Sequence, residues 1–198
     1  MEPLFKIITG YMSGIVTIIA AIVYLRAIIQ GKVHSNRVTW GIWTLVTFLI
    51  CIYYYQTVGL VSSIWVSVAY FFGTALTFIA LLKYAKSGEW TWVEKIALVG
   101  VFITVILRII FNSPIVALSL TMLIDAIGAI PLIMTVYIDS SADYGPAWLI
   151  GFISNFANLF AVEKWDFSNA GYPVYMVILT LTVTVLIYFP RFLRKEIY

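Results

Sequence analysis

The chain has 198 residues, of which 63% are hydrophobic and 11% charged, and its mean hydropathy is +1.02. A soluble domain of this length has no use for so much apolar sequence, and the single cysteine, Cys51, excludes an intrachain disulfide framework. Twelve basic residues against nine acidic ones give a net charge of +3, and in so apolar a chain their placement says more than their sum.

Apolar runs of roughly 17–25 residues mark membrane-crossing helices. Seven are expected, at about 7–29, 38–55, 62–83, 92–111, 115–138, 145–162 and 172–190. The fold class is therefore all-α integral membrane protein, a single membrane domain over 1–198. The longest connectors, 30–37, 84–91 and 163–171, are too short to hold a soluble domain. The first helix is read as a retained span, because no small-residue cleavage site follows it.

In chain order, the first helix carries Thr17 near its middle and Arg26 near its end. The connector after it holds His34, read as a solvated residue, and Arg37. The second helix brings Trp40, Trp43 and Thr47, then Tyr53, Tyr54 and Tyr55 at its far end. Indole and phenol rings favour the membrane interface, so most of these aromatics, with Trp65, Trp90, Trp92, Trp148 and Trp165, are expected to be belt residues. Trp43 is the exception, a turn deeper and able to face a vestibule. The third helix adds Thr74, and the fourth has Arg108 near its end, where it can snorkel.

The fifth helix holds Asp125, the one acid well inside a span, and Pro131, a hinge candidate because it removes a backbone bond. A carboxylate at that depth is costly, which is relieved by a proton or a cation. Asn155 and Asn158 share a face of the sixth helix, and amides suit hydroxyl- or amide-bearing ligands as well as helix-to-helix contact. Pro114, Pro146 and Pro173 are expected at helix starts. The seventh helix supplies Thr182.

Sliding the chain by 108 residues sets Trp40 on Trp148, Phe48 on Phe156 and Thr74 on Thr182. The same shift pairs Thr17 with Asp125 and Thr47 with Asn155. The first three helices thus echo the last three, giving a first repeat over 1–85, a linker helix over 86–114 and a second repeat with the C-terminal tail over 115–198. Similar halves around an odd linker are a signature of carriers. With seven spans, one side would collect Arg26, Lys32, Arg37, Lys83, Lys86, Lys95, Arg191, Arg194 and Lys195; the other has Lys6, Arg108 and Lys164. Positive residues stay cytoplasmic, so the N-terminus is expected outside and the C-terminus inside.

Ile130-Pro131-Leu132, followed by Gly145-Pro146-Ala147-Trp148 at the next helix start, resembles the SWEET and PQ-loop superfamily, as does the 3+1+3 architecture. The resemblance implies a transporter that moves a small polar solute by alternating access between two triple-helix bundles, with prolines flexing. The solute would be a sugar, a vitamin precursor or another small metabolite. Leu132 stands where the PQ-loop group has glutamine, and the asparagines lie on helix six rather than on helices three and seven, which argues against sugar. The expected substrate-binding set is Asp125, Asn155, Asn158, Thr17, Thr47, Thr74, Thr182 and Trp43, with Pro131 as hinge. No catalytic residue, metal or cofactor is expected: there is no H-E-x-x-H and no G-x-S-x-G. The expected partners are a small-molecule substrate and the lipid bilayer, not nucleic acid, with a homo-oligomer left open. The alternative is a seven-helix receptor or sorting protein on the same scaffold. An opsin is excluded, since residues 172–190 contain no lysine.

Overall fold

The computed structural model describes residues 3–33, 36–84 and 90–189 of the chain, the side chain of Tyr84 excepted. They form seven α-helices: α1 (Leu4–Ile29), α2 (Arg37–Val58), α3 (Ile64–Tyr84), α4 (Trp92–Phe111), α5 (Pro114–Ile138), α6 (Gly145–Asn158) and α7 (Phe167–Tyr188). Five of these, α1, α2, α3, α5 and α7, are long and apolar enough to cross a membrane. The 20-residue α4 carries Glu94, Lys95 and Arg108. The 14-residue α6 is continued by one 3-10 turn, Leu159–Ala161. His34, Lys86, Arg191, Arg194 and Lys195 lie outside the described residues.

Local chemistry fixes the helix ends. The Asn36 side chain accepts from the Val38 N–H at 2.9 Å and starts α2. Thr91 and Glu94 form a reciprocal capping box at the start of α4. Gly59, at φ 78°, ends α2 in a conformation that other residues adopt only with strain. Pro114 and Pro146 occupy first-turn positions, as expected. Pro173 does not. The Asp166 carboxylate accepts from the Asn169 N–H at 2.9 Å and starts α7 at Phe167, which leaves Pro173 inside the helix. The apolar run begins later than the helix because the capped first turn is polar.

α1 packs on α3 and α6, and α2 on α3 and α5. α7 packs on both α5 and α6, while α4 lies against α5 and, to a lesser extent, α2. Contacts between helix ends fix directions. The Lys6 ammonium, at the start of α1, reaches the Val162 carbonyl past the end of α6 at 2.8 Å, so these two run antiparallel. Arg108, near the end of α4, reaches Gln56, near the end of α2, at 3.1 Å, so those two run parallel. The face holding the start of α1 is called the N-face below, and the opposite one the C-face. Large apolar side chains point outwards on every helix, Ile8, Ile79, Phe102 and Ile178 among them, as a hydrocarbon surround requires.

Small residues set the closest approach. A methyl at Gly10 would stand 2.1 Å from the Ser62 carbonyl oxygen, and one at Gly14 would stand 3.0 Å from the Trp65 Cβ. These glycines, four apart on α1, let it lie against the start of α3. Gly10→Ala should therefore lower stability by about 1–3 kcal/mol, the usual cost of overpacking. Gly171→Ala, whose nearest neighbour is 3.4 Å away on Phe167, should not. Thermal unfolding of the two purified variants in detergent checks the difference.

Candidate functional site

A cavity of about 130 Å³ lies at mid-depth, lined by residues from α1, α2, α3, α5, α6 and α7 and by none from α4. Thr17, Thr47, Thr74, Asp125 and Gly151, each close to the midpoint of its helix, stand in its wall. Five residues of the expected set line it: Thr17, Trp43, Thr47, Thr74 and Asp125. Asp125 is buried, and its Oδ2 accepts a hydrogen bond from the Tyr175 hydroxyl at 2.6 Å. Among the described residues no cation pairs with it. The hydroxyls are held in pairs across helices, Thr17 with Ser154 at 2.7 Å and Thr47 with Thr74 at 2.8 Å.

Three expected residues are elsewhere. Asn155 stands one layer behind the wall. Its amide donates to the Tyr70 hydroxyl at 2.7 Å and the Gly151 carbonyl at 2.8 Å, while its Oδ1 is buried without a partner. Asn158 lies a turn nearer the N-face, bonded to the Ser63 carbonyl at 3.1 Å, and does not line the cavity. Thr182 bonds the Ile178 carbonyl of its own helix at 2.7 Å and also stays out. Thr180, two residues earlier, takes the place in the wall. Helical rotation explains the last two. Three residues from Asn155 advance α6 by nearly a turn toward the N-face, and two from Thr180 turn Thr182 through about 200°.

Aromatic residues give the cavity most of its remaining wall. Trp40 and Trp148, expected in the interfacial belt, both line it, with Tyr24, Tyr70 and Tyr172. Trp40 packs between Tyr24, with ring centroids 5.1 Å apart, and Trp43, at 5.4 Å edge-on. The Trp43 indole nitrogen passes 3.5 Å from the point where a Gly128 side chain would begin. That glycine is three residues beyond Asp125, so the indole reaches α5 about a turn from the carboxylate. Trp92 and Trp165 are exposed near helix ends, as belt residues would be.

A second cavity, of about 250 Å³, opens toward the C-face. Tyr24, Trp40, Trp43 and Leu132 line both cavities and form the partition. Its polar wall includes Asn36, Thr39, Glu94 and Asp143, and Pro131 and Gly128 belong to its α5 side. Glu94 is buried; its Oε1 accepts from the Asn36 amide at 3.2 Å and from the Thr39 hydroxyl, and its Oε2 from the Thr91 N–H at 2.7 Å. Asp143, in the α5–α6 connector, accepts from the Tyr144 N–H at 2.6 Å. Burial pushes its carboxyl above the ordinary range, and that hydrogen bond offsets part of the rise.

The N-face side is built differently. Pro173 has no N–H to give the Asn169 carbonyl, and the Tyr54 hydroxyl donates to that carbonyl at 2.7 Å. The same hydroxyl lies 2.7 Å from the Ser63 hydroxyl, and Tyr54 packs on Tyr172 with centroids 5.3 Å apart. Tyr53 and Tyr54 are buried, correcting their reading as belt residues, while Tyr55 is exposed. With Asn158 on the Ser63 carbonyl, this layer joins α2, α3, α6 and α7 between the cavity and the N-face. It is called the latch below.

Comparison with sequence families, with curated proteins and with solved structures finds no match to this chain.

The Asp125–Tyr175 bond is open to direct measurement. Tyr175→Phe removes a donor from a buried carboxylate and should lower stability by about 1.5–3 kcal/mol, the range for bonds to charged groups. Adding Asp125→Asn should recover part of that loss, because the two residues act on one interaction. Thermal unfolding of the two single variants and the double variant closes the cycle.

Proposed function

We propose that this protein is a carrier that moves a small polar solute across a membrane by alternating access. One observation carries the reading: a cavity at mid-depth, lined by six of the seven helices, that adjoins a second, partly polar cavity toward one face and a hydrogen-bonded latch toward the other. A solute site with unlike ends is what an access cycle needs, since each conformation opens one end and closes the other.

The architecture in this reading is 3+1+3, with α1–α3 and α5–α7 as triple-helix bundles and α4 as connector. The packing supports it. Exchanging α1, α2 and α3 for α5, α6 and α7 turns each packed pair among these helices into another packed pair. α1 on α3 becomes α5 on α7, α2 on α3 becomes α6 on α7, and α1 on α6 becomes α5 on α2. The smaller contacts, α2 on α7 and α3 on α6, also exchange. The absence of α4 from the cavity wall fits a connector. The resemblance to the SWEET and PQ-loop superfamily stands on the same architecture and on the residues around Pro131 and Pro146. Among the described residues Arg26, Lys32, Arg37, Lys83 and Lys95 stand toward the C-face against Lys6, Arg108 and Lys164 toward the N-face, which supports a cytoplasmic C-face with the N-terminus outside. In this assignment the conformation described is closed outwards.

Thiol labelling tests the cycle without knowledge of the solute. In a Cys51→Ser background, Thr74→Cys places one thiol in the cavity wall. An impermeant reagent should label it from either face of oriented vesicles, faster from the C-face. Tyr54→Phe removes a latch bond worth about 1 kcal/mol and should raise labelling from the N-face about fivefold. Labelling from the C-face alone, in both proteins, would replace the carrier with a receptor on the same scaffold.

Pro131 has the hinge role in this reading. Pro131→Ala restores a backbone donor to α5 beside the second cavity and should slow the exchange between faces without loss of folding. Labelling rates from each face that match those of the protein with Pro131 intact, in a stable Pro131→Ala variant, would remove the role.

A further inference from the structure

We infer that the solute is a compact organic ammonium ion, a reading that rests on the carrier proposal and names the substrate class of the same cavity. Three observations lead there. First, among the described residues the wall of the central cavity holds one carboxylic acid, Asp125, and no Lys, Arg or His. A carboxylate taken out of water without a counter-charge is costly, and a cationic solute supplies the missing partner.

Secondly, the rest of the wall suits an alkylated cation better than a bare one. Trp43, Trp148, Tyr70 and Tyr172 stand with Asp125 in the wall of the cavity. Aromatic walls attract an ammonium group through the ring quadrupole and accept its methyl or methylene groups as apolar surface. The threonine hydroxyls near them, Thr47, Thr74 and Thr180, are placed for one hydroxyl or amine on the solute. A small inorganic cation would instead want a shell of oxygens, and among the described residues no group of three metal-binding side chains occurs.

Thirdly, the approach has the same sign. Among the described residues, the wall of the second cavity carries Glu94 and Asp143 and no basic side chain. Acidic side chains along a narrow, low-dielectric passage raise the local concentration of cations and repel anions. Lys32 packs over the Tyr144 ring at 5.8 Å, and Lys32, Arg37 and Lys95, although next in sequence to lining residues, lie outside both walls.

Size and charge then narrow the class. A dry cavity of about 150 Å³ accommodates benzene, so this one, at about 130 Å³, takes a compact solute of about benzene's size. With no basic side chain among the described residues of either wall, a carboxylate on the solute would find no partner there. Zwitterions such as amino acids are therefore rejected along with anions.

Choline, its uncharged carbon isostere 3,3-dimethyl-1-butanol and its zwitterionic relative glycine betaine share one shape and differ in charge. Calorimetric titration of the purified protein in detergent should show choline binding at least tenfold more tightly than either of the others. Asp125→Asn should abolish that tenfold preference and leave the affinity for dimethylbutanol unchanged. Trp43→Leu should weaken choline several-fold more than dimethylbutanol. Equal binding of choline and betaine, a choline affinity indifferent to Asp125→Asn in a folded protein, or no binding of choline would each overturn the inference. If Asp125→Asn does not fold, the three-ligand series on the unaltered protein and Trp43→Leu still decide. Uptake of radiolabelled choline into proteoliposomes separates the two levels. Choline that binds but is not carried upholds the substrate class and removes the carrier. Transport of an uncharged or anionic solute by a protein that ignores choline upholds the carrier and removes the substrate class.

Discussion

Every other feature of the cavity is arranged around the burial of one carboxylate among helices that hydrocarbon surrounds. A helix satisfies its own backbone in an apolar medium, but the Asp125 side chain has to find its partners in other helices. Tyr175 of α7 meets it, and the remaining mid-depth polar groups follow suit in pairs. Thr17 meets Ser154 between α1 and α6, Thr47 meets Thr74 between α2 and α3, and Asn155 meets Tyr70 between α6 and α3. Bonds of this kind are worth only about 1 kcal/mol apiece in membranes. Side chains that hold the helices together therefore also leave a polar lining that rearranges at small cost.

The two ends of the cavity are closed by different physics. Toward the N-face, a proline inside α7 releases a carbonyl, and a buried tyrosine on α2 takes it. That contact is dry, specific and local. Toward the C-face, the partition consists of Tyr24, Trp40, Trp43 and Leu132, which touch through ring edges and apolar surface. Tyr24 also hydrogen-bonds Asp143 of the α5–α6 connector. That end is held by ring packing and a bond to a connector, and the N-face end by hydrogen bonds between helices.

Much of this was legible in the sequence, because hydropathy and helix length record the surround directly. The seven helices, the depth of Asp125 and the position of Pro131 inside α5 all follow from runs of apolar residues and their exceptions. The rotation of each helix is harder to read, since an α-helix in lipid has apolar residues on both faces. Thr182 and Thr180 differ in sequence by two places, yet only Thr180 reaches the cavity. The interfacial preference of tryptophan misplaced Trp40 and Trp148, which share a repeat position and both turn inwards. Their coincidence under the 108-residue shift was the available signal. Tyr175 left no mark at all, because nothing in α7 announces that its hydroxyl meets an acid 50 residues earlier.

In the carrier reading, α7 links solute to latch. Tyr175 holds Asp125; Tyr172, one turn closer to the N-face, packs on Tyr54; and Asn169, a further turn on, offers the carbonyl that Tyr54 grips. A cation that draws the carboxylate toward the cavity competes with the Tyr175 hydroxyl, and the helix bearing that hydroxyl is the one whose ladder Pro173 already interrupts. A ligand shifts a conformational equilibrium only through a difference in its interactions with the two states. The difference here is whether the solute or Tyr175 satisfies Asp125, and it arises two residues from the break in α7. The same helix that closes the N-face is thereby the one that registers an occupied site.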